Sequence, residues 1–181
     1  TFKYPDGDEY VLEHFDLNVP QGTTVAIVGE TGAGKSTIVN LVCRFFEPTS
    51  GSILIDGKDV RERSIGWLHG NIGYVLQSPH LFSGTVRYNL TYGKEDATDA
   101  EIDEAVKSVN AAAIIERLDK GYDSEVGEGG NTLSTGEKQL LSFARAILVN
   151  PAIFVLDEAT SSIDTITEKL IQSAIEKLME N

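Results

Sequence analysis

The sequence predicts an α/β fold with a mostly parallel sheet, and three observations lead there. Short apolar segments rich in β-branched residues, at 23–28 and 153–156, read as strands buried on both faces. Long stretches of chain separate them, so crossovers rather than tight hairpins join the strands, which sets them parallel. The first of these strands runs into a glycine-rich turn and then a helical pattern, the strand–loop–helix order of α/β domains.

Taken in order, residues 11–19 alternate loosely and read as a strand leading to the turn Pro20-Gln21-Gly22. Residues 23–28 form the buried strand, and residues 36–46 read as a helix. Residues 52–55, followed by Asp56-Gly57, form one arm of a hairpin, so the N-terminal part carries an antiparallel β portion. Residues 72–76 are a further strand. From about 85 to 150 the pattern is helical. Ile102, Ala105, Val106 and Val109 recur at helical spacing, and Ser134 with Glu137 makes a capping box ahead of an apolar-periodic stretch. Pro151 ends that helix, residues 153–156 form a buried strand, and residues 166–179 a last amphipathic helix. The helical middle reads as a subdomain, about 85–145, inserted into a core of about 1–84 and 146–181. Together they make one domain.

Bulk properties fit that size. A chain of 181 residues holds one domain with a hydrophobic core, and 41% apolar with 24% charged residues is a globular composition. The net charge of -13 argues against a nucleic-acid partner and against charge-driven attachment to an anionic membrane. The single cysteine, Cys43, has no partner for an internal disulfide and lies in an apolar stretch, so it reads as a small buried hydrophobe in a reducing compartment. No run reaches the roughly 18 apolar residues of a membrane span, and the first residues lack a signal-peptide pattern. As written, the chain reads as soluble and intracellular.

Chemistry enters with Gly29-Glu30-Thr31-Gly32-Ala33-Gly34-Lys35-Ser36-Thr37. This is the G-x-x-x-x-G-K-[ST] pattern, between a predicted strand and a predicted helix. Its glycines let the backbone curl so that successive N–H groups point at phosphate oxygens, and the helix N-terminus adds partial positive charge. Lys35 offers a point charge to the β- and γ-phosphates, and the Ser36 hydroxyl is a ligand for Mg²⁺. A second anchor comes from Ile153-Phe154-Val155-Leu156-Asp157-Glu158. A strand ending in a carboxylate puts Asp157 at the carboxyl edge of the sheet as a metal ligand, and Glu158 follows as general base for the attacking water. These are the elements of a P-loop NTPase.

What lies between them narrows the family. Leu133-Ser134-Thr135-Gly136-Glu137-Lys138-Gln139 resembles the signature motif of ABC ATPases, usually written LSGGQ. A capped helix start there, with Ser134 and the Gly136 N–H, is a second anion site on physical grounds alone. Gln77, in Gly73-Tyr74-Val75-Leu76-Gln77, resembles the family's Q-loop glutamine, which senses metal and water. Tyr4, in Phe2-Lys3-Tyr4-Pro5, resembles the aromatic that stacks on adenine. Ser161-Ser162-Ile163-Asp164 is similar to the D-loop. Both Glu125-Val126-Gly127-Glu128-Gly129 and Leu81-Phe82-Ser83-Gly84-Thr85-Val86-Arg87 are similar to exporter sequences. The resemblance spans essentially the whole chain. It implies a RecA-like core, ATP and Mg²⁺ as cofactors, a catalytic set of Glu158, Lys35 and Gln77, and metal contacts from Ser36, Gln77 and Asp157.

The resemblance also implies partners. Two such domains pair head to tail with ATP between one P-loop and the other's signature, and they drive transmembrane domains from the cytoplasmic face of the membrane. A soluble ABC-type ATPase outside transport, or a fragment that binds ATP without turnover, are the competing expectations. Two departures bear on this. The family's switch histidine follows the last helix, and His14, His69 and His80 lie too early to be it, which implies a trimmed C-terminal end. Thr135 stands where the signature usually has glycine. Its β-branched side chain would crowd the approach to a partner's γ-phosphate, as in the weakened second site of a heterodimeric exporter. The other expectation is a homodimer that tolerates the change.

Overall fold

The computed structural model describes residues 1–76, 78–157 and 165–179 of the chain. It forms two units, Thr1–His69 and Gly70–Asn181.

In the first unit, Phe2 bridges Leu12 in antiparallel sense, its N–H donating to the Leu12 carbonyl at 2.7 Å. The helix α1 spans Lys35–Val42 and buries Thr37, Ile38 and Leu41. Phe2, Leu12, Ile38 and Leu41 make the small core, with Tyr4, Phe46 and Ile53 packed against it. The predicted hairpin is present: β1 (Leu54–Ile55) pairs with β2 (Lys58–Asp59), Leu54 opposite Asp59. Asp56 and Gly57 both take positive φ, 51° and 72°, as a two-residue hairpin turn requires. The 3₁₀ turn Val60–Glu62 follows, then the short helix α2 (Ile65–Gly70).

Two expectations fail here. The predicted helix over 36–46 ends at Val42, because Arg44 turns into the left-handed region at φ 55°. From there its guanidinium donates to the Val60 and Arg63 carbonyls, and Phe46 is free to meet Phe2 and Tyr4. More seriously, residues 23–28 are not a strand buried on both faces. They have no ladder partner among the described residues, and Val25, Ile27 and Val28 stand exposed, Val28 at 90%. Beyond the Phe2–Leu12 bridge, residues 13–19 have no ladder partner among the described residues either, and Phe15, Leu17 and Val19 face solvent. An apolar β-branched run states a preference for extended backbone. Its N–H and C=O groups still need a neighbouring strand, and without one they are left to water.

The second unit is organised on one helix. β3 (Ile72–Val75) pairs in parallel with β4 (Ile153–Leu156), Ile72 opposite Ile153 and Val75 opposite Leu156. β4 is half-buried along its length rather than fully covered. Between these strands come α3 (Val86–Thr91), α4 (Asp99–Ser108), α5 (Ala112–Arg117) and α6 (Thr135–Leu148), and after them α7 (Thr165–Met179). α4 opens on a capping box in which Thr98 and Glu101 satisfy each other's backbone N–H groups. Nine of the fourteen residues of α6 are buried, so this helix forms the centre of a core shared with α3, α4 and α5. Phe143, with no exposed surface, lies nearly parallel to Phe154 of β4 at 6.5 Å. Gly73 allows that approach: a Cβ there would stand 2.7 Å from Pro151 Cγ and 3.2 Å from the Phe154 ring.

Candidate nucleotide-binding site

The phosphate loop of the first unit folds as its glycines predict. Gly32 and Gly34 both sit in the left-handed region, at φ 89° and 88°, and Gly34 caps α1. The Ala33 N–H closes a turn onto the Glu30 carbonyl at 3.1 Å. A Cβ on Gly29 would come within 3.1 Å of Ala33 Cβ, and one on Gly34 within 3.0 Å of Leu12 Cδ2. Glycine at both positions lets the loop close upon itself and upon the Leu12 segment. The backbone N–H groups of Gly32, Gly34, Lys35, Ser36 and Thr37 find no acceptor among the described residues. Those of the helical residues are the orphan donors of a helix start, backed by its partial positive charge. Lys35 bends back so that Nζ donates to the Gly29 and Glu30 carbonyls at 2.8 and 3.0 Å. Both acceptors are neutral, so the ammonium charge stays available to an anion.

Tyr4 reaches the same turn from the N-terminal segment. Its hydroxyl lies 2.9 Å from Thr37 Oγ1, and its ring packs edge-on against Phe2 and Phe46 at 4.9 and 5.0 Å. The sequence singled out Tyr4 and Thr37 separately; their bond, across 33 residues, had no local signal.

In the second unit, the parallel register sends two chains out of the sheet side by side. Val75 pairs with Leu156, the Asp157 N–H donates to the Val75 carbonyl at 3.1 Å, and Leu76 leaves β3 at the same edge. Asp157 is half-buried there. Gln77 and Glu158, the residues that follow Leu76 and Asp157 in sequence, lie outside the described residues, as does the D-loop resemblance at 161–164. Among the described residues there is no cluster of three or more metal-ligating side chains. Magnesium does not need one. It binds through one or two hard oxygen ligands with phosphate and water completing its shell. The exposed Ser36 hydroxyl of the first unit and the half-buried Asp157 carboxylate of the second are each an oxygen of that kind, so each side chain suits Mg²⁺ by its own chemistry.

The signature segment carries its cap as predicted. Ser134 Oγ accepts the Glu137 N–H at 3.3 Å and Glu137 Oε2 accepts the Ser134 N–H at 2.8 Å. Ser134 and Thr135 are exposed and Gly136 is buried. One feature was not foreseen: Glu137 also pairs with Arg117 of α5 at 2.5 Å. Burial pulls the Glu137 carboxyl upward, but the bonds from Ser134 and the Arg117 charge outweigh it and hold the pKa below the usual value. Lys138, on the next residue, donates to the Gly129 carbonyl at 2.9 Å and ties this turn to the 125–129 loop. In that loop Gly127 has φ 70°, and any Cβ would collide with the Asn131 side chain.

A strand-edge carboxylate, a capped second helix start and a glycine loop whose free amides open a helix define a P-loop nucleotide-binding domain. Comparison with known proteins agrees and goes further. Residues 12–161 match the family described as ABC transporter. The chain is 49% identical over 180 residues to an uncharacterised ABC transporter ATP-binding protein, YfiC, of Bacillus subtilis, covering 99% of this chain and 30% of the relative. It is 46% identical to ABC transporter B family member 1 of Arabidopsis thaliana, over 98% of this chain and 14% of the relative. Among solved structures, a bacterial Atm1-family ABC exporter with ATP bound superposes with a TM-score of 0.90 at 45% identity, over 98% of this chain and 31% of that one. The chain belongs to the ABC transporter family, as an ATP-binding domain with the ABC ATPase fold. It spans about a third or less of the length of these relatives, and among its described residues no helix is long and apolar enough to cross a membrane.

Proposed function

We propose that this chain is the ATP-hydrolysing domain of a membrane exporter, working on the cytoplasmic face as one of a pair of such domains joined to transmembrane domains. The observation that carries the reading is the loop at 29–37, where two left-handed glycines leave a row of backbone N–H groups and the Lys35 ammonium without a charged partner. A polyphosphate is the ligand those groups suit.

On this reading Gly29, Glu30, Thr31, Gly32, Ala33, Gly34, Lys35, Ser36 and Thr37 wrap the phosphates and Tyr4 stacks on the adenine. Magnesium, when bound, neutralises phosphate charge and orients the γ-phosphoryl group. Ser36, Gln77 and Asp157 would hold it. Glu158 accepts the proton of the attacking water, and Gln77 positions that water. Ser134 and Gly136 face the γ-phosphate of a nucleotide bound to the paired domain. The inserted helical subdomain, about 85–145, carries that second surface, and the core is about 1–84 with 146–181. The transported substrate is set by the membrane segments.

Thr135 adds a finer proposal. It occupies the first position of α6 with its side chain exposed, where a β-branched group meets an incoming phosphate. We read this as one half of a heterodimeric pair. The test is nucleotide turnover by the intact protein in membranes. Wild type should hydrolyse Mg-ATP, Lys35→Ala should lose binding and turnover, and Glu158→Gln should keep binding while losing turnover. A Glu158→Gln protein with the parental rate would refute the assignment, and full hydrolysis by this subunit without a different partner would refute the heterodimer.

A further inference from the structure

Two side chains of α6 reach back across more than sixty residues to hold the chain that leaves β3. The Gln139 side chain has no exposed surface, and its Nε2 donates to the Leu76 carbonyl at 3.3 Å. Arg145 donates through Nη2 to the His80 carbonyl at 3.3 Å, and its guanidinium lies 5.8 Å from the centre of the Phe82 ring. The two tied carbonyls bracket residues 77–79, with Gln77 the first of them. Residues 139, 142 and 145 recur every three positions, so they line one strip of the helix. Along that strip Gln139 Oε1, Ser142 Oγ and Arg145 Nη1 are all buried without a partner among the described residues.

A packing role does not account for this strip. Leu140, Leu141, Phe143 and Ala144 already fill the core around it, and leucine or methionine at 139 would be buried without the desolvation penalty that an amide carries. Burial also works against the Arg145 charge, pulling its pKa below the usual guanidinium value. Polar groups held there against their own desolvation, at successive turns and aimed at one segment, are suited to grip that segment's backbone. Each side chain also keeps an unused polar atom on the same strip, so the segment can change which group it bonds while staying attached.

We propose that Gln139 and Arg145 are positioning residues for ATP hydrolysis: they strap the Leu76 and His80 carbonyls, which flank Gln77 in sequence, to α6 and act on the chemistry assigned to Gln77 through that backbone. The proposal rests on the ATPase reading above. Neither residue is among those assigned to nucleotide. Each acts through a backbone carbonyl next to Gln77 or three residues beyond it. The strap should therefore govern the rate of the chemical step and leave nucleotide affinity, which resides in the 29–37 loop, unchanged.

The test uses the intact protein with Gln139→Met, which keeps length and apolar volume but removes the amide, and Arg145→Gln. Each is measured for kcat and KM with Mg-ATP, alone and in a Gln77→Ala background. Expected is a fall in kcat of about tenfold, the scale of a modest misplacement of a reacting group, with KM within twofold. In the Gln77→Ala background the same changes should lower the residual rate by less than twofold, since the residue they position is gone. Amide hydrogen exchange gives a second readout: Leu81 and Phe82 should exchange faster in the variants while Ile72 to Val75 keep parental protection.

An undiminished loss in the Gln77→Ala background would overturn the proposal, as would a KM that rises in step with the fall in kcat, because both are marks of general structural damage. If Gln139→Met fails to fold, Arg145→Gln, which is nearer the surface, carries the same comparison alone. A parent protein that hydrolyses no ATP overturns the ATPase reading and the strap with it. A parent that hydrolyses ATP, loses this with Lys35→Ala and keeps its rate in both strap variants overturns the strap alone.

Discussion

Gly34→Ala is the sharpest test of the phosphate loop, because its cost divides into two parts that a control can separate. The first is conformational. Gly34 sits at φ 88°, where an L-residue with a Cβ is disfavoured by about 1–2 kcal/mol. The second is steric. The new Cβ would stand 3.0 Å from Leu12 Cδ2 and 3.4 Å from Val11 Cγ1. Leu12 is 9% exposed and its methyl is the end of a flexible side chain, so it can give way at small cost. The strain therefore falls on the loop, which relaxes toward negative φ and turns its amides away from the phosphate position. A shift of about 1–2 kcal/mol in the bound-competent conformation weakens binding by about 5- to 30-fold. The control is Gly51→Ala. Gly51 has φ 90° and nothing within 4 Å of its Cβ, so it carries the same conformational penalty away from the loop. Titrating a fluorescent ATP analogue into both variants of the intact protein, with denaturant unfolding alongside, reads both parts. Comparable destabilisation with affinity lost only in Gly34→Ala is the expected result. Parental affinity in Gly34→Ala, or equal affinity loss in both variants, would refute the argument that the left-handed turn at 34 shapes the ligand site.

Three other outcomes are expected. Phe143→Ala removes a fully buried ring stacked on Phe154 and should cost about 3–5 kcal/mol, which corresponds to a fall in Tm of about 6–20 °C in a chain of this size; a loss under about 1 kcal/mol would mean that α6 is not the centre of the core. Cys43 is 1% exposed and burial pushes its thiol up to about 11, so at pH 8 iodoacetamide should label it at least about a hundredfold more slowly than free cysteine, with full reactivity restored in urea. The Lys94 ammonium, with the Thr98 backbone and hydroxyl, holds Glu101 down to about 2. A depressed carboxyl stabilises the fold above its unfolded pKa of about 4.3 and loses that effect as pH falls toward 2. The gap in unfolding free energy between the parent and Glu101→Gln should therefore hold steady from pH 7 to 5 and close below about pH 4.5.

The parts of this molecule that were legible in the sequence share one property: their partners lie within a few residues. The Ser134–Glu137 cap closes within one helical turn, the Asp56-Gly57 hairpin within four residues, and the curl at Gly32 and Gly34 is set by the absence of Cβ atoms in the loop itself. β4 came out at its predicted bounds, the last helix within one residue of its own, and α6 opens directly after its predicted Ser134 cap. Residues 23–28 mark the limit. Their composition states a preference for extended backbone, but pairing and burial are properties of neighbours, and nothing in six residues specifies which strand would lie beside them. The bond from Tyr4 to Thr37 and those from Gln139 to Leu76 and from Arg145 to His80 fall in the same class, at separations of 33, 63 and 65 residues. Gln139 shows why such residues escape a reading by pattern. At its place on α6 an apolar residue would satisfy the helical period, so the amide looks like noise until the Leu76 carbonyl arrives beside it. A polar residue that interrupts an apolar face within a recognised motif is therefore the sequence feature most in need of a structure. In this chain that interruption connects the helix of one motif to the strand that leads into another.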